Sequence, residues 1–379
     1  MNVQMSFRLL ESLVIKNLRN IPGWHINRKI VVIESDDWGS IRMPSIESFE
    51  RLEKSGLDLR SFDAERYNMN DTLATSHDLE NLFEVLSTAK DSNGNCAVFT
   101  PVTIVANPDF QKIKDTGFQE YFYEPFTETL KRYSGCELSF GLWKEGIEKK
   151  LFVPQMHGRE HLNVSAWMNA LQSGEKNTLA AFQEGMWGFV PPAYPAIDYQ
   201  AAFLLGNPGE LDYHAEVIKE GMDLFKDLFG YAAEYFVPPN GPFNNGLNKV
   251  LVDNGIKFRY ASKIQHETLG NNKSRKIIHF LGQKDKTGIR YIVRNCFFEP
   301  SQAGKDWVDS CLFDIKTAFR WHTPAVISSH RVNFIGSLYP SNLDNGLQQL
   351  TLLLRGILKN WPDVEFITSS ELGELMNNN

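Results

Sequence analysis

The chain has 379 residues, 42% of them hydrophobic, with a formal net charge of −7. A chain of this length and composition can bury a substantial core, and α/β barrels of this size often form one domain. The acidic balance argues against nucleic acid or an anionic membrane surface as the main partner and favours a neutral ligand. No stretch approaches the roughly 20 apolar residues of a membrane span.

The N-terminal region has no uninterrupted apolar segment of the kind found in secretory signals. Instead Phe7, Leu10, Val14 and Leu18 recur at helical spacing among charged residues. This pattern predicts an amphipathic helix over residues 1–28 that docks on the rest of the chain. The four cysteines are widely separated, with neither metal-binding spacing nor the density of a disulfide scaffold. The protein is therefore expected to be cytoplasmic.

Strand and helix patterns alternate from residue 29 to the end. Apolar runs predict strands near 30–33, 97–102, 256–261, 325–327 and 364–368, and helical patterns cover 45–55, 78–89, 165–173, 210–229, 245–254, 307–320 and 343–360. Such alternation implies parallel strands joined by right-handed crossovers. We expect one catalytic domain over 29–379, with insertions around 45–150 and 187–210.

The first predicted strand ends in two adjacent carboxylates. The apolar run that begins at Val31 leads into Asp36 and Asp37, followed by Trp38 and Gly39. Strands of this kind in α/β proteins carry active-site residues at their carboxyl ends. The alternative is that one aspartate caps a helix and the other is a solvated surface residue.

Two later apolar runs end in histidines. After Phe152 the chain contains His157 and His161, whose spacing would put both imidazoles on one face of a helical turn and allow them to bind one divalent metal. Asp37 is the candidate third ligand. The run before His330 ends in a side chain suited to proton exchange near neutral pH. Solvated, capping or purely structural histidines remain the alternatives.

Together these motifs resemble those of the polysaccharide deacetylases, carbohydrate esterase family 4. The family's Thr-Phe-Asp-Asp-Gly motif aligns with residues 34–38, its His-Ser/Thr-x-x-His motif with His157 to His161, and its closing His with His330. Its Arg-x-Pro-x-Gly motif has a partial counterpart in residues 236–241. The resemblance extends from about Lys29 to the end of the chain. It implies a distorted (β/α) barrel of the deacetylase type with seven strands.

The chain departs from the family pattern at two positions. Trp38 stands where the family has Gly, although Gly39 follows at once. Val237 stands where the family has the Arg that pairs with its catalytic Asp. Arg294 ends the apolar run 289–293 and offers a replacement, because a guanidinium beside a carboxylate keeps it ionised and oriented. The alternative is that Arg294 is a surface residue.

Several residues are candidates for substrate binding. The stretch 187–208 is rich in aromatic residues and prolines, and a lid there would let Trp187 and Tyr194 stack on sugar rings. An ordinary packed connection is the alternative. Trp38 could line a sugar subsite or lie in the core. The resemblance adds Pro239 and Asn240 of the third motif.

The activity that the resemblance implies is hydrolysis of an N-acetyl group on an amino sugar. A divalent metal, for which imidazole and carboxylate ligands favour zinc, would be held by Asp37, His157 and His161 and would activate water. Asp36 would be the general base and His330 the general acid.

Two other functions remain open from the sequence. A metal-dependent glycosidase on a related barrel would need a second carboxylic acid, for which Glu160 or Glu34 could serve. A non-catalytic carbohydrate-binding protein of the same fold is the other. The oligomeric state, the glycan and the identity of the metal are not readable from the sequence.

Overall fold

The computed structural model describes residues 16–61, 64–191 and 199–378. Phe7, Leu10, Val14 and Tyr194 lie outside the described residues. The end of the predicted N-terminal helix is described, and residues 16–20 are helical. Asn20 ties this end to the domain: its side-chain oxygen accepts a hydrogen bond from Asn295 at 2.7 Å and its carbonyl accepts one from Thr323 at 3.1 Å.

The strands of the described residues are β1 (Lys29–Trp38), β2 (Phe99–Ile104), β3 (Ala106–Pro108), β4 (Tyr123–Pro125), β5 (Gln155–Gly158), β6 (Tyr235–Phe236), β7 (Phe258–Tyr260), β8 (Ile264–Gly270), β9 (Lys273–Ile278), β10 (Arg290–Ile292), β11 (Cys296–Phe297), β12 (Ala325–His330) and β13 (Val364–Phe366). β3 and β4 form one antiparallel pair, and β8 and β9 form another.

The helices are α1 (Ile46–Lys54), α2 (Ala64–Asn70), α3 (Ser76–Thr88), α4 (Phe110–Asp115), α5 (Phe126–Leu130), α6 (Ser139–Glu148), α7 (Val164–Gln172), α8 (Lys176–Gln183), α9 (Leu211–Phe229), α10 (Asn248–Asp253), α11 (Trp307–Arg320), α12 (Pro340–Asn360) and α13 (Ser369–Asn378). Three short 3-10 turns are at Pro208–Glu210, Asn245–Leu247 and Arg331–Phe334. In the described part of the chain, no helix combines the length and the apolar character needed to cross a bilayer.

The main sheet is parallel and curled. Its strand order is β10-β7-β6-β5-β2-β1-β12-β11, and β13 pairs with the first residues of β1. The two ends of this path, β10 and β11, are consecutive in the chain and are separated only by residues 293–295. One stretch of chain therefore bridges the two ends of the sheet, as in a distorted barrel.

This architecture confirms the predicted α/β barrel class, with a difference in strand number. Eight strands lie along the path instead of seven. The stretch that closes the barrel is divided into two short strands, because β10 pairs with β7, β11 pairs with β12, and residues 293–295 between them belong to neither strand. The region 45–150, expected as an insertion, contains the barrel strand β2 as well as helices α1 to α6.

Strand β1 lies at the centre of the sheet. Its residues from Ile30 to Ile33 are almost completely buried, as expected for a parallel strand covered on both faces. β1 pairs with β12 in a register that sets Asp36 beside His330. The pairing therefore brings the ends of the first and last sequence motifs together at one edge of the barrel.

A close approach between helix α12 and the segment after β12 gives a stability test. Gly346 lies in α12, and a methyl group added there would overlap the backbone carbonyl oxygen of Asn333. We expect Gly346→Ala to destabilise the protein by about 1–3 kcal/mol, as overpacking does. Urea unfolding measures the change.

Gly141 in helix α6 provides the matched control, because a methyl group there would meet nothing within 4 Å. Gly141→Ala is expected to stabilise the protein by about 0.5–1 kcal/mol through its higher helix propensity. Equal unfolding midpoints for the Gly346 variant and the unmodified protein would contradict the close packing of α12.

Candidate active site

A cavity of about 1350 Å³ opens at the carboxyl ends of the barrel strands. The residues predicted for catalysis and metal binding all line it, namely Asp36, Asp37, His157, His161, Arg294 and His330. They come from β1, from β5 and the turn after it, from the closing stretch between β10 and β11, and from β12. Residues as far apart as 36 and 330 in the sequence therefore line one cavity.

The end of β1 is distorted in a way that serves this cavity. Adjacent residues of a regular strand point to opposite faces of the sheet. Here the pairing of β1 with β2 shifts register between Ser35 and Trp38, and Asp37 has a left-handed backbone with φ of 73°. This irregularity lets Asp36 and Asp37 both line the cavity although they are neighbours in sequence.

Asp37, His157 and His161 form a compact group. Asp37 Oδ1 is 3.5 Å from His157 Nε2 and 3.1 Å from His161 Nε2, and the possible ligand atoms all lie within 4.8 Å of one another. His157 Nδ1 is 2.8 Å from the carbonyl oxygen of Val237, an arrangement in which Nδ1 carries the proton.

With the proton of the neutral His157 ring on Nδ1, the lone pair of Nε2 points toward Asp37. This nitrogen is buried and has no hydrogen-bond partner among the described residues. A buried, unpaired imidazole nitrogen beside a carboxylate is costly unless another group binds there. Two imidazoles and one carboxylate are also a ligand set of catalytic zinc sites. The residues present therefore fit a divalent metal.

The two histidines are not on a helical turn, so that detail of the sequence prediction is wrong. His157 lies in strand β5, and the chain turns at Gly158, whose φ of 125° is rarely adopted by residues with a side chain. This turn brings His161 back, so that the two ring centres are 5.0 Å apart. A strand followed by a glycine turn produces the same convergence as a helix.

Arg294 forms a buried ion-pair network with the end of β1. Its guanidinium donates two hydrogen bonds of 2.6 Å to the two oxygens of Asp36, and its Nε donates to Glu34 at 2.5 Å. Glu34 also accepts hydrogen bonds from Tyr235 and Ser369. Burial alone would raise the pKa of Asp36, but Arg294 outweighs it and holds that pKa below its ordinary value.

His330 has its own carboxylate partner. His330 Nδ1 is 2.6 Å from Glu299 Oε1, and the other oxygen of Glu299 accepts hydrogen bonds from Arg66 and Asn333, each at 2.9 Å. Burial by itself lowers the pKa of His330, but the charge and hydrogen bond of Glu299 raise it to about 9. The imidazole is therefore cationic at neutral pH.

Glu299 was missed by the sequence reasoning, as was the structural role of Glu34. Glu299 lies 31 positions before His330, and only the pairing of β11 with β12 brings the two together. A carboxylate directly after the apolar residues 296–298 was the available signal. Glu34 was considered only as an acid or base, whereas the structure shows it as a buried partner of Arg294.

The expected role of Trp38 at a sugar subsite is wrong. Trp38 is completely buried, packs edge-on against Trp143 and Phe152, and donates its indole N–H to Ser35 at 2.9 Å. Because it follows the bulge in β1, its side chain points into the core beneath the cavity. Trp38 therefore supports the end of β1 and does not contact a ligand in the cavity.

Of the other described residues predicted to bind substrate, Trp187 and Pro239 are buried away from the cavity lining, and only Asn240 lines the cavity. Trp187 is buried with its ring stacked on His161 at 6.2 Å, so it covers a candidate metal ligand and is not an open sugar platform. Pro239 is buried and packs near Gly158, outside the cavity lining. Asn240 does line the cavity, with a left-handed φ of 55°.

The solved structures to which this chain is similar include a probable deacetylase, an allantoinase and a pseudoenzyme. A "probable polysaccharide deacetylase" of Pseudomonas aeruginosa PAO1 has a TM-score of 0.44 at 9% identity, over 93% of this chain and 92% of that one. The PuuE allantoinase has 0.44 at 10% identity, over 94% of each chain. A CE4 family pseudoenzyme from Bacillus anthracis has 0.37 at 10% identity, over 92% of this chain and 66% of that one.

No family model matches the sequence, and no curated protein matches it. The similarities of fold are to chains that differ from this one at about nine positions in ten, and they include an allantoinase and a pseudoenzyme. The activity of this protein must therefore be argued from its own residues.

The buried network around Arg294 yields a prediction for stability. Arg294→Met leaves two buried carboxylates, Asp36 and Glu34, without their cation, and we expect it to cost about 3–5 kcal/mol at pH 7. The pKa of Asp36 is depressed in the folded protein, so this contribution is present above about pH 4 and is lost as the pH falls. The deficit of the variant should therefore shrink in acid.

Urea unfolding at pH 7 and pH 3 measures this difference. Arg51→Met removes an exposed arginine that is also paired with a carboxylate, Glu184, and serves as the matched control. It is expected to leave the unfolding midpoint unchanged. An Arg294 variant as stable as the unmodified protein at pH 7 would contradict the network.

Proposed function

We propose that the protein is a metal-dependent hydrolase that removes N-acetyl groups from an amino sugar. One observation carries the proposal: a single cavity holds a carboxylate and two imidazoles with the geometry of metal ligands, an ionised aspartate and a cationic histidine. Hydrolysis of an amide needs these three elements, since water must be activated, a proton removed and the departing amine protonated.

The metal site would be formed by Asp37, His157 and His161, and zinc is the ion that we propose. A divalent metal bound there supplies a water of lowered pKa and polarises the acyl carbonyl. The chain's own contribution is to hold the ligands in place: the carbonyl of Val237 orients the His157 ring, and Trp187 packs on the ring of His161.

Asp36 is proposed as the general base. It is held ionised by Arg294, and an ionised carboxylate can accept the proton of the attacking water. The bidentate pairing also fixes its orientation, since both of its oxygens accept hydrogen bonds from the same planar guanidinium. Val237 occupies the position where the resembled family has its arginine, and Arg294 reaches Asp36 from the stretch between β10 and β11.

His330 is proposed as the general acid. Glu299 keeps its imidazole protonated at neutral pH, so that it can give a proton to the amide nitrogen as the carbon–nitrogen bond breaks. The products are then acetate and a free amine. Arg294 thus keeps Asp36 deprotonated, and Glu299 keeps His330 protonated. One cavity therefore holds both a base and an acid.

The amino sugar is proposed from the resemblance of the motifs and from the size of the cavity. At about 1350 Å³ the cavity is larger than most pockets for small ligands and is open to solvent, which suits a sugar attached to a larger carrier.

A glycosidase is not favoured by the geometry. Both oxygens of Glu160 accept hydrogen bonds from Arg159, and Glu34 is held by Arg294 beneath the cavity. Neither glutamate lines the cavity. A non-catalytic binding protein would not need a set of metal ligands beside an ionised aspartate and a protonated histidine.

The metal ligands give the first test of this proposal. His157→Ala and His161→Ala should each lose both bound metal and acetate release from N-acetylated sugars, because two remaining ligands make an incomplete site. Elemental analysis and an acetate assay on a panel of N-acetylated sugars measure the two quantities. Release of free sugar instead of acetate would show a glycosidase.

Two further variants serve as controls. His77→Ala removes an exposed histidine outside the cavity and should change neither metal content nor activity. Asp36→Asn should keep the metal and lose turnover, because the amide has the shape of the carboxylate without its basic oxygen. Stoichiometric metal in either His157→Ala or His161→Ala would rule out the proposed ligand set.

The pairing of Glu299 with His330 predicts the alkaline side of the pH–rate profile. A pKa of about 9 for His330 means that activity should decline as the pH rises through 9. In Glu299→Gln the largest carboxylate contribution that opposes burial is lost and only the charges of Asp37 and Asp36 remain, so this decline should begin at a lower pH. At pH 8 the variant should be slower by a factor of ten or more.

Glu124→Gln is the control for this profile, since Glu124 pairs with Arg132 and does not line the cavity. Its profile should be that of the unmodified protein. An alkaline limb that stays in place in Glu299→Gln would assign the proton donor to another group.

A further inference from the structure

A second groove, of about 490 Å³, opens beside the catalytic cavity. The two spaces share part of their lining, namely Tyr260, Ser262, Ile264, Arg294 and Phe297. Arg294 is the closest link, because the same guanidinium binds Asp36 and lies 4.5 Å from the ring of Tyr260. A ligand seated in the cavity therefore has a continuous path into the groove.

The walls of this groove are apolar and exposed. Leu18, Ile264 and Ile278 are each more than half exposed, and Phe297 is 36% exposed. Single apolar residues on a protein surface are ordinary, but a contiguous set that borders a cavity indicates a binding surface. These four side chains come from the N-terminal helix, the β8–β9 hairpin and strand β11.

Two cations border the same groove. Lys263 donates hydrogen bonds to the carbonyls of Leu18 and Arg19, and the Arg19 guanidinium is 6.0 Å from the ring of Phe297. Among residues 16–61, 64–191 and 199–378, neither cation forms an ion pair with a carboxylate. Burial, and after it the charge of Arg19, lower the pKa of Lys263, in keeping with two positive charges that lie close together.

We propose that this groove binds the hydrocarbon chain of a substrate in which the amino sugar is linked through phosphate to a lipid. The sugar occupies the catalytic cavity, Arg19 and Lys263 bind the phosphate, and the chain lies along the apolar wall. The inference rests on the proposed function. Continuity with the cavity, an apolar wall and two cations without a carboxylate partner among the described residues together favour a lipid phosphate over a bare polysaccharide, which has no apolar chain to bury.

Binding of decyl phosphate, below its micelle concentration, tests the groove without requiring turnover. The full-length protein should bind it in titration calorimetry, whereas inorganic phosphate alone should bind at least tenfold more weakly. Ile278→Asn and Arg19→Gln should each raise the Kd for decyl phosphate at least tenfold, equivalent to about 1.4 kcal/mol. Both residues lie outside the proposed catalytic group.

Leu138→Asn is the matched control, because Leu138 is an apolar residue that is 82% exposed and lies outside the groove. It should leave the Kd unchanged. Absence of binding would overturn the proposal. So would binding that is equally weakened by the Leu138 and Ile278 variants.

Turnover separates this inference from the proposed function. The same N-acetylated sugar is compared as its 1-phosphate and as its decyl phosphodiester, with kcat and KM measured for each. The lipid-linked form should have a KM at least tenfold lower, and Ile278→Asn should abolish that difference while leaving kcat for the 1-phosphate unchanged.

Equal KM values for the two forms would overturn the lipid assignment and leave the hydrolase intact. If neither form released acetate while decyl phosphate still bound in a manner sensitive to Ile278, the proposed function would fail and the groove would stand as a lipid-phosphate site.

Discussion

The pairing of Arg294 with Asp36 and Glu34 is the interaction on which the rest of the site depends. Two carboxylates lie buried at the end of the central strand, where an uncompensated charge costs several kcal/mol. One guanidinium binds both, with three hydrogen bonds of 2.5–2.6 Å. Without that cation, β1 could not carry its acidic end into the cavity in ionised form.

The same stretch of chain closes the barrel. Residues 290–297 pair with β7 at one end and with β12 at the other, and Arg294 lies between these two pairings. Two residues beyond β11 the stretch supplies Glu299, the partner of His330. One segment therefore closes the sheet, lowers the pKa of Asp36 and raises the pKa of His330. These two ion pairs can form only when the barrel closes.

Local distortions at the strand ends complete the arrangement. The left-handed Asp37 and the glycine turn at Gly158 each interrupt a strand at the edge of the cavity. Backbone of this kind is unfavourable by itself and persists where the surrounding structure holds it. Packing of Trp38 against Trp143 and Phe152 directly beneath Asp37 provides such support.

Sequence alone was sufficient for the alternating pattern of strands and helices and for most of the charged residues that meet in the cavity, although not for Glu299. Hydrophobic periodicity is a local property, and helix α11 was predicted at its observed bounds, Trp307–Arg320. Motif spacing likewise identified Asp36, Asp37, His157, His161 and His330, because strand ends in a parallel sheet lie along one edge. Short helices such as α4 and α5, and the exposed strand β9, carry too little periodic signal to be seen.

Only the tertiary structure decided which charges pair and which aromatic rings are buried. Glu299 and His330 are 31 residues apart, and Arg294 and Asp36 are 258 apart, so their contacts follow from strand order and register and not from local pattern. Trp38 faces the core because a bulge in β1 sets the direction of its side chain. A sequence determines which residues favour a strand or a metal, but the partner of a buried charge is determined by the packing that removes it from water.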